Sequence, residues 1–423
     1  MKVAVVGAGS TYTPELVDGF ARRQDELTVD ELALHDIDRE RLEVVGGLAA
    51  RILAKGGWPG RLGRTTDPDA ALDGADVVVV QLRVGGQQAR LVDETLPLEF
   101  GCIGQETTGP GGFAKALRTV PVVLDLAARA APDAWIVDFT NPVGIVTRAL
   151  LDAGHRAIGL CNVAIGFQRR LARLLGVQPE RVQLGHVGLN HLSWIRSVRI
   201  DDADRLPELL EQHGEELAAE VGLPLRLLRT LGAIPSYYLR YYYLRGRVLA
   251  EQRQSRPRAS DVAAIEAELL ALYRDPALAE KPALLQTRGG AFYSEAAAQL
   301  IAALAGDTGE VQVVDVRNGG AVAGLPPEAV IELPARVDRD GAHPLPQTPL
   351  APELLGLVQQ VAAYEQLAVA AARSGDRRVA LAALLANPLV ADYEVAVPLL
   401  DALLAANRPY LPRFFAKPAG AVS

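Results

Sequence analysis

Two short stretches place chemically able side chains near one another in the chain. Gly159-Leu-Cys-Asn162 carries one of only two cysteines, and Gly188-Leu-Asn-His-Leu-Ser-Trp194, about thirty residues on, carries one of only six histidines. A thiolate and an imidazole are both metal ligands, although a lone cysteine is more often a small buried apolar group and a lone histidine more often a satisfied imidazole. A third stretch, Val3-Ala-Val-Val-Gly-Ala-Gly-Ser-Thr-Tyr-Thr-Pro14, reads as a strand, a glycine turn and the start of a helix. Gly7 and Gly9 let backbone approach a pyrophosphate at that helix N-terminus, with Tyr12 standing where the usual dinucleotide fingerprint has its third glycine. Asp36, at the end of the second strand, can accept bonds from adenosine ribose hydroxyls and repel a 2'-phosphate, which favours NAD over NADP. Its separation from the glycines exceeds the usual interval of about 20 residues, and the plainer account is an acid that starts a helix.

The elements that must position these residues alternate. Val3 to Val6, Leu32 to Leu34, Val77 to Leu82, Trp135 to Phe139 and Ile158 to Leu160 are short β-branched runs separated by helical patterns, which predicts a parallel sheet covered on both faces. The fold class is α/β: a Rossmann-like doubly wound parallel sheet over residues 1–170, followed by a mixed α+β domain for substrate and oligomerisation over 171–423. In the second part, Val182 to Ile200 predicts strands with a turn near Asn190-His191. Helices are expected over Leu206 to Leu231, Asp261 to Tyr273 and Pro352 to Asn407, a β-rich piece over Val311 to Val337, and fraying from Lys417 to Ser423.

Length and composition bound the function. A chain of 423 residues supports two domains sharing a large core. With 49% hydrophobic and 22% charged residues it should be ordered nearly throughout. A net charge of -8 with no basic run gives no footprint for nucleic acid. Two cysteines exclude a disulfide framework, no secretory leader is recognisable, and no apolar run reaches the roughly 20 residues that span a bilayer, so a soluble cytoplasmic protein without membrane partners is expected.

In open α/β sheets, ligands sit beyond the carboxyl ends of the strands. Three polar segments follow strand ends here: Arg83 to Arg90, Gln105-Glu-Thr-Thr-Gly-Pro-Gly-Gly112 and Thr140-Asn-Pro142. With Cys161-Asn162 they point to one crevice beside the nicotinamide.

Gly7-Ala-Gly-Ser10, Gln105-Glu-Thr107, Thr140-Asn-Pro142, Cys161-Asn162, Gly188-Leu-Asn-His191 and Tyr238-Leu-Arg-Tyr-Tyr242 occur in the order found in glycoside hydrolase family 4. The chain resembles that family from end to end, most closely its 6-phospho-β-glucosidases. The resemblance implies that Gly7, Gly9, Ser10 and Asp36 hold NAD and that Cys161 and His191 hold a divalent metal, commonly manganese. Sugar oxygens and water would complete the metal's shell; a thiolate is an unusual partner for manganese, which prefers oxygen. It further implies cleavage by oxidation at C3, deprotonation at C2, elimination, water addition and return of the hydride, unlike the two-carboxylate route of most glycosidases. The implied base is Tyr238, with Tyr241 its nearest rival, and Glu106 is the implied partner that tunes this proton; helix packing is the plainer account of most rings in this tyrosine cluster. Arg90 and Asn141 match substrate-binding positions, and Arg258 the position that meets the 6-phosphate, with Arg256 able to substitute. Members acting on α-glycosides carry Asp where this chain has Asn162, which cannot protonate a leaving group, so a β-specific enzyme is expected. The resemblance also implies a homodimer or homotetramer.

Three other functions compete. A lactate- or malate-type NAD-dependent hydroxy-acid dehydrogenase would need no metal and would use a His-Asp relay, for which His191 offers no clear Asp partner. A non-catalytic NAD sensor would tolerate loss of Cys161, His191 and Tyr238. A family member acting on an unphosphorylated or uronic-acid glycoside would not require the 6-phosphate.

Overall fold

The computed structural model describes residues 1–288 and 292–416, so the tail expected to fray from Lys417 lies outside the described residues. Its centre is a single sheet with thirteen strands among those residues. In chain order these are β1 (Lys2–Val6), β2 (Glu31–His35), β3 (Arg61–Thr65), β4 (Val77–Val80), β5 (Trp135–Asp138), β6 (Ala157–Gly159), β7 (Val182–Leu189), β8 (Leu192–Ile200), β9 (Ala203–Asp204), β10 (Ile234–Pro235), β11 (Glu310–Arg317), β12 (Val330–Asp338) and β13 (Gly341–Pro344). The spatial order is β10-β8-β7-β12-β11-β6-β5-β4-β1-β2-β3, with β13 on β12 and β9 on β8.

The first six strands are parallel, in the doubly wound order in which the connections reverse between β1 and β4. Their sequences explain why. Val77–Val80 is four β-branched residues, buried on both faces, and such side chains are stiff at χ1 and pack well on a pleated surface. Each buried valine contributes on the order of 1.5–3 kcal/mol. One strand has no apolar run to announce it: β3, Arg-Leu-Gly-Arg-Thr, is an exposed edge strand held by its parallel register with β2.

The second half adds its strands to the same sheet. β11 and β12 form a long antiparallel pair, as do β7 and β8. Backbone partners then run level from Gly159 in β6 to Asp315 in β11, to Glu332 in β12 and to Gly188 in β7. The hairpin expected over Val182 to Ile200 is present, with Asn190 and His191 at its turn. Leu206 to Leu231 is broken into three short helices, Leu206–Gln212, Gly214–Val221 and Leu225–Leu231: His213 leaves helical conformation between the first two, and Gly222 and Pro224 separate the last two. The helices Arg245–Gln254 and Tyr293–Gly306 were not among the expectations. Among the described residues no helix is long and apolar enough to cross a membrane.

The 23-residue helix Pro352–Ser374 packs on helices Gly109–Ala127 and Val143–Asp152 and buries Glu365 near Arg148 and Asp315. Burial, opposed only in part by Arg148, pushes the Glu365 carboxyl from 4.5 up to about 8. A carboxyl raised on folding contributes stability fully below its unfolded value, and that contribution is lost as pH rises through the folded value. Glu365→Gln should therefore flatten the loss of stability between pH 4.5 and 8 and be more stable than the parent at pH 8 by roughly 1–3 kcal/mol. Denaturant unfolding across that range checks it; an equal alkaline loss in both proteins would mean that Glu365 is already ionised.

Candidate functional site

The loop after β1 turns at Gly7 (φ 88°), where a Cβ would lie 2.8 Å from the Gln81 carbonyl oxygen. Only glycine combines that conformation with so close an approach. At Gly9 a Cβ would fall 2.8 Å from Asp36 Cγ, and Gly9 N–H donates to Asp36 Oδ2 at 2.8 Å. Asp38 N–H donates to the other Asp36 oxygen at 2.9 Å, while Asp38 caps helix Arg39–Lys55. Asp36 is thus tied to the glycine loop, half-buried, rather than being the exposed helix starter. Ser10 Oγ accepts from Tyr12 N–H at 3.2 Å and stands at the entrance of helix Thr13–Arg22. Tyr12 meets Tyr293 edge-on, at 6.2 Å between ring centres, so the bulky residue in the third glycine position is packed against a helix that the sequence did not announce.

Cys161 follows β6 and caps helix Asn162–Leu175, on the same side of the parallel sheet as the glycine loop after β1. Its thiol is buried, and burial followed by the charge of Glu332 pushes its pKa well above the ordinary value, against hydrogen bonds from Val163 and Asn190. His191 is buried in the β7–β8 turn with φ 63°, a left-handed conformation that is uncommon for histidine. Burial pushes its imidazole down to about 4, so it is neutral at physiological pH. Tyr238 stacks on it, with ring centres 3.6 Å apart and planes at 14°. The Tyr238 phenol is pushed well up by burial, by Tyr237 and by Cys161. Cys161 and His191 therefore share Tyr238 and Glu332 as neighbours.

Below them lies a pool of acids. Glu332 keeps its charge despite burial because His186 Nε2 is 2.6 Å from its carboxylate. Burial and that neighbouring charge push Asp315 well up, so it is the proton-bearing member of the pair. Asn190 Nδ2 reaches both, at 3.4 Å each.

Glu106 anchors a second, cationic group. It accepts from Arg83 and from Lys115 Nζ at 2.7 Å, with Arg90 Nε at 3.2 Å. Burial opposes its charge, but Arg83, Lys115 and Arg90 together hold it well below the carboxylate range. Lys115 bears the cost: burial and Arg83 lower it to about 7. Arg90 also donates to Glu94 at 2.7 Å, and Glu94 in turn accepts from Ala259 N–H at the start of helix Arg258–Tyr273. This group neighbours Tyr241, whose phenol responds to Arg90, Glu94 and Glu106, whereas Tyr238 faces Cys161 and His191. Arg258 is exposed and donates to the Thr287 and Arg288 carbonyls, and Arg256 pairs with Asp261 at 3.6 Å. Asn141 Oδ1 is buried without a hydrogen-bond partner among the described residues, in the loop after β5. Asn162 opens the helix that Cys161 caps.

A glycine-loop nucleotide cradle, a buried thiol beside an imidazole and a cationic rim make up the inventory of the motifs read in order along the chain. The family models match on the same chain: family 4 glycosyl hydrolase over residues 2–177 and its C-terminal domain over 186–390. The chain belongs to the family 4 glycosyl hydrolases. A probable 6-phospho-β-glucosidase of Bacillus subtilis strain 168 is 41% identical, over 99% of this chain and 98% of that protein. The 6-phospho-β-glucosidase of Thermotoga maritima, solved with manganese, NAD+ and glucose 6-phosphate, is 35% identical with a TM-score of 0.90, over 97% of this chain and 99% of that one. A Cryptosporidium parvum lactate dehydrogenase matches at 15% identity and a TM-score of 0.55, a likeness of fold alone, so the hydroxy-acid dehydrogenase reading is not favoured.

Sequence reasoning missed Lys115. Its signal was present: Lys115 and Arg118 lie three apart in a mostly apolar helix, and two buried cations on one helix face need anions to meet them. Glu106→Gln would leave Arg83, Arg90 and Lys115 without their shared anion. Its unfolding free energy should fall by about 3–5 kcal/mol in chemical denaturation; a loss below 1 kcal/mol would mean that water already screens the group.

Proposed function

We propose that this chain hydrolyses 6-phospho-β-glucosides to glucose 6-phosphate and an aglycone, using NAD that is regenerated in each turnover and a divalent cation, with manganese as first candidate. The observation that carries this reading is the buried Cys161 and His191 sharing Tyr238 and Glu332, at the strand ends that also carry the glycine loop. Relatives over nearly the whole chain are 6-phospho-β-glucosidases, and one was solved with all three small molecules.

The donor set fits such a cation. Among the described residues no three His, Cys, Asp or Glu side chains gather as a closed site. A thiolate and an imidazole alone leave positions open for substrate oxygens, as a catalytic site requires. The unpartnered Asn141 Oδ1 supplies a further polar group in the crevice. Gly7, Gly9, Ser10 and Asp36 would hold NAD. When bound, NAD accepts and returns the hydride of sugar C3, and the cation polarises the ketone so that C2–H becomes acidic.

Tyr238 takes the C2 proton. Its position against both cation ligands supports it over Tyr241, which lies 6.3 Å away between ring centres and faces the Glu106 group. Without positive charge nearby its raised phenol is a poor base, so activity must depend on the cation. Arg90, fixed by Glu94 and Glu106, and Asn141 orient the sugar, and Arg258 meets the phosphate after leaving the Thr287 and Arg288 carbonyls. Glu106 acts by holding Arg90 and Lys115 in place. Asn162 has no acidic proton to give a leaving group, which supports the β configuration. Residues 1–170 would bind the nucleotide and contribute Arg90, Asn141 and Cys161 to the sugar site, while 171–423 would supply His191, the base and the phosphate-binding arginine, in a cytoplasmic homodimer or homotetramer.

Hydrolysis of p-nitrophenyl 6-phospho-β-glucoside should require both NAD and Mn2+, show no net NADH and slow measurably with deuterium at C2. Activity without either addition would remove the reading. In the same assay Tyr238→Phe should lower kcat by about 10²-fold or more, and Tyr241→Phe by less than about tenfold; the reverse order would make Tyr241 the base.

A further inference from the structure

The geometry points to Thr107 as the positioning residue that fixes the tautomer of His191, and so decides which ring nitrogen is free for a cation. The inference rests on His191 being a metal ligand, as proposed above. Gln105 Oε1 accepts from the backbone N–H of Thr107 at 2.5 Å and of Thr108 at 2.7 Å. Two converging donors leave no room for the reversed amide, so an oxygen, which has no proton to offer, faces Thr107. Thr107 Oγ1 lies 2.9 Å from that oxygen and 2.9 Å from His191 Nδ1. A hydroxyl has one proton, and Gln105 Oε1 can only receive it. Turning that proton to His191 would leave two oxygens facing each other at 2.9 Å with no proton between them, so Thr107 meets the imidazole with a lone pair.

His191 Nδ1 therefore carries the ring proton, and Nε2 keeps its lone pair for a cation. The ring has little freedom to escape this arrangement. Tyr238 stacked at 3.6 Å fixes its plane, and the left-handed turn at His191 fixes the direction from which the side chain starts. The Gln105-Glu-Thr107 segment thus serves two purposes through adjacent residues: Glu106 organises cations, while Gln105 and Thr107 set a proton position.

The test uses the full chain. Free of metal and labelled with ¹⁵N-histidine, the protein should show His191 protonated at Nδ1 in long-range ¹H–¹⁵N correlation spectra, identified by its absence from His191→Ala. Thr107→Val should move that proton to Nε2 or mix the two forms, and Thr107→Ser should keep it at Nδ1. Mn2+ affinity, read by electron paramagnetic resonance, should weaken by about 10–100-fold in Thr107→Val and stay within about threefold in Thr107→Ser, with NAD affinity unchanged in both. Wild-type His191 protonated at Nε2, or Mn2+ affinity unaffected by Thr107→Val, would overturn the inference. His191→Ala with undiminished Mn2+ affinity would instead overturn the ligand assignment on which it rests, a failure the metal-free spectrum distinguishes from the first.

Discussion

Backbone pairing in one row, Gly159 to Asp315 to Glu332 to Gly188, is the constraint on which the site depends. Cys161 lies two residues beyond one end of that row and His191 three beyond the other. Because successive side chains in a strand alternate between faces, a slip of one residue in any of the three pairings would turn Asp315 or Glu332 away from the loops they support. Asn190 links the row to the sulfur, reaching toward Asp315, Glu332 and Cys161. What holds the thiol and the imidazole in one place is therefore the continuity of a sheet whose halves come from distant parts of the chain.

Buried charge around the crevice is divided into two pools of opposite character. On one side Glu106 keeps its charge only because Arg83, Lys115 and Arg90 surround it. On the other, Glu332 is ionised beside His186, and Asp315, next to it, holds its proton. Uncompensated burial of any of these charges would be costly, and their mutual pairing makes the crevice polar without unfolding it. The cationic pool suits an anionic sugar. The acidic pool lies under the thiol and the imidazole, where negative charge favours a cation.

The two pools also separate the tyrosines. Tyr238 belongs to the Cys161–His191 side and Tyr241 to the Glu106 side, although they are one helical turn apart in sequence. That turn is built from a 3₁₀ segment, Tyr237–Leu239, continued by Arg240–Tyr243, and Tyr237 packs on Tyr238 with ring centres 4.5 Å apart. Glu106, expected as a partner of the Tyr238 proton, acts within the cationic pool.

By itself the sequence determined the local architecture: β-branched runs had to be buried strands and Gly7 had to turn, because these depend on residue type and short-range spacing, whereas Cys161, His191 and Tyr238 were brought together only by the resemblance to a family. β3 was silent, since an edge strand needs no apolar run once β2 offers it hydrogen bonds. Only the tertiary structure decided that Asp36 ties down the glycine loop, that Lys115 meets Glu106, that Arg258 bonds backbone carbonyls, and that Thr107 faces the imidazole. Each of those contacts joins residues far apart in sequence or turns on the direction of a single side chain. Such contacts follow from how buried charges and hydrogen-bonding groups find partners in the packed chain, and no local pattern encodes that pairing.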